Sequence, residues 1–350
     1  MEGNRKSAGM SDHDNLINQS AGTSDHDHLF NLSFAQVSKH SQNPYILHGY
    51  RSEHLSPKDC VRSCFLLCNE TANIWTHVIP LIIFISMSFE LFLKEDVFDP
   101  LVWPLLTYSV GICFMLLSSV FAHTFCAVSP RVHHTCFFVD YAGVAVFTMP
   151  AGQCMLFYMR ALEPELTILK YPALVFLFTM TVSTLTTIMV ALSRFKWHKY
   201  RYFIRTFTFI VPFLIHTFPL THRLTTCSSE VDCEFQALPH LTWHIVWYLL
   251  AVLVTALHIP ERLFPGKFDY VGYSHSLMHI LVALGAYEQF RTVELDFNAR
   301  REMLSGNRML VTFWNSLAPF GIAVVLNVGI AIYLGVIIDV EDASRHKKHD

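Results

Sequence analysis

From residue 74 onward the chain alternates long apolar runs with short polar breaks. The runs fall at 74–93, 101–125, 136–159, 168–192, 206–222, 240–260, 272–290 and 313–338. A hydrocarbon core about 30 Å thick needs roughly 20 helical residues, and a backbone in lipid must satisfy its own hydrogen bonds. Each run therefore predicts a spanning helix. The fifth is the shortest and holds Pro212, His216 and Pro219. A membrane bundle tolerates such prolines, because neighbouring helices satisfy the freed carbonyl groups.

This pattern divides the chain. Residues 1–44 are polar and contain a tandem duplication, AGMSDHDNLINQS (Ala8 to Ser20) followed by AGTSDHDHLFNLS (Ala21 to Ser33). Such composition reads as a disordered tail, with its paired SDHD tetrads as solvated linker. It also lacks the apolar core of a signal peptide. Residues 45–73 read as a juxtamembrane helical segment, in which Cys60, Cys64 and Cys68 recur at every fourth position. Free cysteines packing as small hydrophobes explain them best, with zinc or palmitate as alternatives. Residues 74–290 make a seven-helix core, 291–312 a loop, 313–338 an eighth, C-terminal helix and 339–350 a tail. The fold class is an all-α integral membrane protein.

Composition supports that solvent. With 52% hydrophobic and 15% charged residues and a mean hydropathy of +0.36, the chain is too apolar for a soluble domain of this length. A net charge of -3, dispersed along the chain, excludes a nucleic-acid binder. No inverted repeat or pair of broken spans marks a transporter. Lys and Arg are more numerous beside the spans on the side of the N-terminus, most of all in SRFKWHKYRYFIR (Ser193 to Arg205). The positive-inside rule then puts the N-terminus, and with eight spans both termini, in the cytoplasm. The acceptor patterns at Asn18, Asn31 and Asn69 would stay unglycosylated. Cys227 and Cys233 would face the oxidising side, close enough for a disulfide, while Cys60, Cys64 and Cys68 stay reduced.

The candidate chemistry centres on His258 to His279, where a proline-broken polar loop leads into an apolar helix. His275 and His279 are four apart and share a helix face, a spacing that can put two imidazoles on one metal ion. HExxH sites use the same spacing, but Ser276, Leu277 and Met278 supply no glutamate between them. A third ligand is available in His123 at the end of the second span. Asp140 begins the third span, and Ser119 lies one turn before His123. All five fall near the same membrane face. Ionisable groups inside a membrane are costly and mark function, and the shared depth favours a metal over packing histidines such as His77, His216, His244 and His258. Three neutral imidazoles would make an open, catalytic-type zinc site with a water in the fourth position, its pKa lowered toward about 7. Asp140 and Ser119 would hydrogen-bond that water or orient a ligand.

Four motifs carry a resemblance. NETANIWTH (Asn69 to His77), SSVFAHTF (Ser118 to Phe125), FFVDYAGVAV (Phe137 to Val146), and PERLFPGKFD with SHSLMH (Pro260 to His279) resemble, in that order, the progestin and adipoQ receptor (PAQR) family over roughly residues 45–290. The resemblance implies a zinc ion on His123, His275 and His279, with Asp140 and Ser119 around its water. The final span and the sequence HTFCAVSPRVHHTCFFVDY are more similar to membrane progestin receptors, of the gamma type, than to adiponectin receptors. One departure is Ser276, where the family commonly has glutamine. The implied function is binding of a progestin steroid in an intramembrane pocket, with rapid signalling through G proteins at the plasma membrane. The alternative is zinc-dependent hydrolysis of a sphingolipid, ceramide-type amide, as in adiponectin receptors.

Overall fold

The computed structural model describes residues 29–160, 171–195, 197, 200–226, 235–306 and 311–346. A short helix, α1 (Pro57–Ser63), precedes eight long ones: α2 (Thr71–Lys94), α3 (Trp103–Phe125), α4 (Pro130–Cys154), α5 (Pro172–Phe195), α6 (Arg201–Thr226), α7 (Ala237–Leu257), α8 (Ser274–Gly306) and α9 (Leu317–His346). No strand occurs among the described residues. Local chemistry sets several ends. Ser129 caps α4 by accepting from the Val132 amide at 3.2 Å, with Pro130 in the first turn, where its missing N–H costs nothing. Past Pro150, α4 closes in a π turn over Met155–Met159. His258 ends α7 in the left-handed region at φ 53°, as residues that terminate helices commonly do.

Seven of the long helices are apolar enough over their length to cross a membrane. The exception is α8, the helix that carries His275 and His279. The expected loop at 291–312 is instead helix as far as Gly306. The segment after residue 286 contains no proline and is rich in helix formers. It buries Ala286, Phe290, Val293, Phe297 and Arg300, a spacing of alternate fours and threes that puts them on one face. Charged residues on the rest of α8 lower its hydropathy.

α4 is the central helix, packed by α3 on one side and by α5 and α9 on others, while α8 packs along α7 and α2. The close approaches require glycine. A Cβ at Gly143 would overlap the Ser118 side chain on α3, and one at Gly335 would overlap Thr135 on α4, the small-residue contact that membrane helices use. The C-terminal helix α9 is thus part of the bundle. Asn327 on it accepts from Thr187 Oγ1 at 2.5 Å and donates to Ser183 Oγ at 3.3 Å, both on α5.

The N-terminal boundary also moves. Residues 29–44 are not a solvated tail: Phe30 is buried with Leu55, Cys60 and Ala127, and Val37 with Ile46, Tyr50 and Tyr273. Their apolar side chains fold the segment over the bundle end where α3 finishes and α2, α4 and α8 begin. The first copy of the duplication and the start of the second, including both SDHD tetrads, lie outside the described residues. Within 45–73, only Pro57–Ser63 forms an α-helix before α2 starts, and Cys60, Cys64 and Cys68 are all buried, in keeping with packing. Cys227 and Cys233 lie outside the described residues.

Candidate metal centre

Three imidazoles meet at the covered end of the bundle. His123 is in the last turn of α3, and His275 and His279 are in the first two turns of α8. One ring nitrogen of each lies within 4.8 Å of those of the other two. The ring centroids are 5.2 Å apart for His123 and His275, 5.1 Å for His123 and His279, and 4.5 Å for His275 and His279. His123 and His279 are buried and His275 is half-buried.

The outer nitrogens are held from α2. His123 Nδ1 lies 2.7 Å from Glu70 Oε2, and His279 Nδ1 lies 3.2 Å from both the Asn73 carbonyl and Thr76 Oγ1. An acceptor at Nδ1 keeps the proton there and turns the Nε2 lone pair inward. His123 and His275 bring their Nε2 atoms to 3.4 Å of one another. Inward lone pairs at this separation repel one another unless a cation or a proton lies between them. A carboxylate stands behind His123 and a carbonyl behind His279, the usual backing of a metal-bound histidine, so the residues present fit a metal ion. Three nitrogen donors suit zinc.

Glu70 is itself positioned. Asn73 Nδ2 donates to Glu70 Oε2 at 2.7 Å and also to Tyr273 OH, which donates to the Asn69 carbonyl at 3.2 Å. Burial would raise the Glu70 carboxyl, but the His123 ring and its hydrogen bond, together with the Arg51 guanidinium, hold it down at about 2. Arg51 comes from the N-terminal segment and is buried at 6% exposure, so its charge must be met locally. It donates to the carbonyls of His123 at 2.6 Å and Thr124 at 2.9 Å, to Ser63 Oγ at 2.9 Å and to Cys126 Sγ at 3.0 Å. A cation on the open carbonyl groups at the end of α3 also suits the helix dipole.

The loop between α7 and α8 fixes the other side. Glu261 accepts from the Ser274 amide at 2.7 Å and from its hydroxyl, which caps α8 just before His275. Asp269 accepts from the amides of Leu47 at 3.0 Å and His48 at 2.9 Å, tying the N-terminal segment to the same loop. The two acids of PERLFPGKFD are therefore structural supports of the histidine helix.

A family model described as haemolysin-III related matches residues 65–290. The chain belongs to that family, the HlyIII/PAQR family. Membrane progestin receptor gamma-A of Danio rerio is 31% identical over 314 residues, covering 83% of this chain and 89% of its own length. Membrane progestin receptor delta of Mus musculus is 34% identical over 290 residues, covering 81% and 83%. Membrane progestin receptor gamma of Homo sapiens is 29% identical over 324 residues, covering 90% and 96%. The span matched by the HlyIII/PAQR model holds Glu70 and all three histidines, whereas Arg51 and α9 lie outside it.

The remaining sequence candidates sit around the triad. Ser119 and Asp140 are buried at 1% and 8% exposure. Asp140 lies beside Ser119 and near His123, but no hydrogen bond of ordinary geometry satisfies Ser119 Oγ among the described residues. Neither belongs to the three-residue ligand cluster. Ser276 donates to the carbonyl of Tyr273, the residue just before α8, at 2.9 Å.

Sequence reasoning missed the supports: Glu70 just before α2, Asn73 and Thr76 on it, and Arg51, Glu261, Asp269 and Tyr273. A signal for the first was present. Glu70, Asn73 and His77 recur at spacings of three and four, which is a polar stripe along one helix face. His77, expected to be a packing histidine, stacks on His279 with centroids 3.8 Å apart and rings 18° from parallel.

Proposed function

We propose that this protein is a membrane receptor of the progestin-receptor type, with its ligand site inside the membrane beside a zinc centre held by His123, His275 and His279. The observation that carries the site is the converging triad, whose outer nitrogens on His123 and His279 are fixed by Glu70, Asn73 and Thr76. The receptor class is supported by the relatives named membrane progestin receptors. The bias of Lys and Arg supports a cytoplasmic N-terminus and puts the triad near the cytoplasmic face of the plasma membrane, where a G protein could sense the bound state.

A second reading, hydrolysis of a lipid amide, is favoured by the buried Ser119 hydroxyl set beside buried Asp140 close to His123. Zinc, when bound, would supply Lewis acidity and a water reactive near neutral pH. The chain's own residues would do the rest. Glu70 keeps His123 in one tautomer, and the Asn73 carbonyl and Thr76 do so for His279. Asp140 would take the proton released as water oxygen bonds to the amide carbon, and return it to the departing nitrogen as the C–N bond breaks. Ser119 would hold the attacking water or the carbonyl oxygen.

The test is to purify the full chain and measure zinc stoichiometry, saturable progestin binding and fatty-acid release from ceramide. Zinc with saturable steroid binding and no turnover is the expected result. Turnover without steroid binding would replace the receptor reading with the amidase, and a preparation that neither retains nor binds zinc would overturn the metal centre.

A further inference from the structure

A second feature on α2 bears on what the site recognises. His77 is buried at 5% exposure and stacked on His279, yet neither of its ring nitrogens has a hydrogen-bond partner among the described residues. One turn earlier, Asn73 commits its amide group to Glu70 and Tyr273 and its backbone carbonyl to His279. Its side-chain oxygen is buried without a partner among the described residues. Because a carboxylate accepts from Nδ2, the orientation of the Asn73 amide is fixed and Oδ1 is an acceptor. Residues four apart share a helix face, so these groups lie side by side against the triad. Leaving buried polar groups unsatisfied costs about 1–3 kcal/mol each, an expense that a membrane protein bears where a ligand arrives.

The inventory of these atoms limits the ligand. A neutral imidazole presents one N–H donor and one acceptor nitrogen, and Asn73 Oδ1 adds a second acceptor. We infer that Asn73 and His77 form the polar anchor of the ligand site, and that they select an apolar molecule whose polar end joins a carbonyl oxygen to a neighbouring hydroxyl or amide N–H. The carbonyl accepts from His77, and the hydroxyl or N–H donates to Asn73 Oδ1 or the second His77 nitrogen. A hydroxylated keto-steroid and a lipid amide share this chemistry. A molecule with ketones alone would leave the acceptors unmet. The inference rests on the reading of the triad region as an intramembrane ligand site, and it assigns His77 a recognition role outside the metal ligands.

The experiment uses the full-length, zinc-loaded protein in lipid nanodiscs and two probe pairs. The first is progesterone, which has ketones only, against its derivative with a hydroxyl next to the side-chain ketone. The second is a short-chain ceramide against its analogue methylated at the amide nitrogen and both hydroxyls. Wild type should bind the donor-bearing member of at least one pair at least about 10-fold more tightly, because a site built around a hydrogen bond rejects the analogue that lacks it. His77→Phe keeps a ring to stack on His279 and should abolish the preference with zinc content unchanged, while His77→Gln, which retains a donor and an acceptor, should restore part of it. The pair that shows the preference identifies the source of the ligand. Equal binding within both pairs by wild type overturns the anchor whether or not the variants fold, and leaves the receptor reading standing if the steroids bind. A preference that survives in His77→Phe also overturns it. If the steroids do not bind but ceramide is preferred over its analogue, the receptor reading falls and the anchor stands; binding of neither pair overturns both.

Discussion

Glu70 Oε2 lies 2.7 Å from His123 Nδ1, so a carboxylate at the start of one helix fixes the tautomer of an imidazole at the end of the next. If this contact orients a metal ligand, Glu70→Ala should lower zinc affinity about 10- to 100-fold while the helical content by circular dichroism stays unchanged. Glu70→Gln, which keeps a hydrogen bond without the charge, should lie between. Competition with a chromogenic zinc chelator measures this, and equal affinities for wild type and Glu70→Ala would remove Glu70 from the site.

The triad itself makes a simpler prediction. Replacing His123, His275 or His279 with Ala should each remove most of the bound zinc, because a three-ligand site loses its geometry with two. Elemental analysis of the purified variants is the check. Wild-type zinc content in His279→Ala would sink the proposed centre.

Asp140 should separate chemistry from metal retention. Asp140→Asn is expected to keep zinc and to abolish any release of fatty acid from ceramide, since the amide cannot take the proton. Loss of zinc together with thermal stability would show instead that the carboxylate holds α3 and α4 together.

Arg51 joins the N-terminal segment to the end of α3 through three hydrogen bonds and to Ser63 in α1 through a fourth. Arg51→Leu leaves the His123 and Thr124 carbonyls without that partner and should cost on the order of 3 kcal/mol. The expected readout is faster proteolysis within residues 29–56 and a lower thermal midpoint. Proteolysis unchanged from wild type would mean that burial of Phe30 and Tyr50 alone anchors the segment.

Orientation can be read with tags. If α8 crosses together with the seven apolar helices and the N-terminus is cytoplasmic, an impermeant protease added to intact cells should spare both an N-terminal and a C-terminal tag. A glycan on Asn18 or Asn31 would reverse the orientation and move the triad to the outer face. Asn31 Oδ1 accepts from Tyr270 OH at 2.8 Å, so a glycan there would also break a contact of the folded segment.

The sequence by itself determined the solvent, the helical class and the three histidines. Runs of bilayer length admit one kind of backbone, and an intramembrane pair at the spacing of His275 and His279 has few bland explanations. It did not give the end of α8, because the many charged residues of the segment mask the spacing of Ala286, Phe290, Val293 and Phe297. Nor did it give the packed part of the N-terminal segment, where a few apolar side chains in a polar stretch acquire meaning only from the surface they cover. Tertiary structure decided which groups support the triad. Glu70 is 53 positions from His123 in the chain, Arg51 is 72, and Asn73 is 206 from His279. Contacts at such separations leave no local pattern, since they depend on how α2, α3 and α8 converge, and that convergence is set by side-chain packing across the bundle rather than by the order of residues within any one helix.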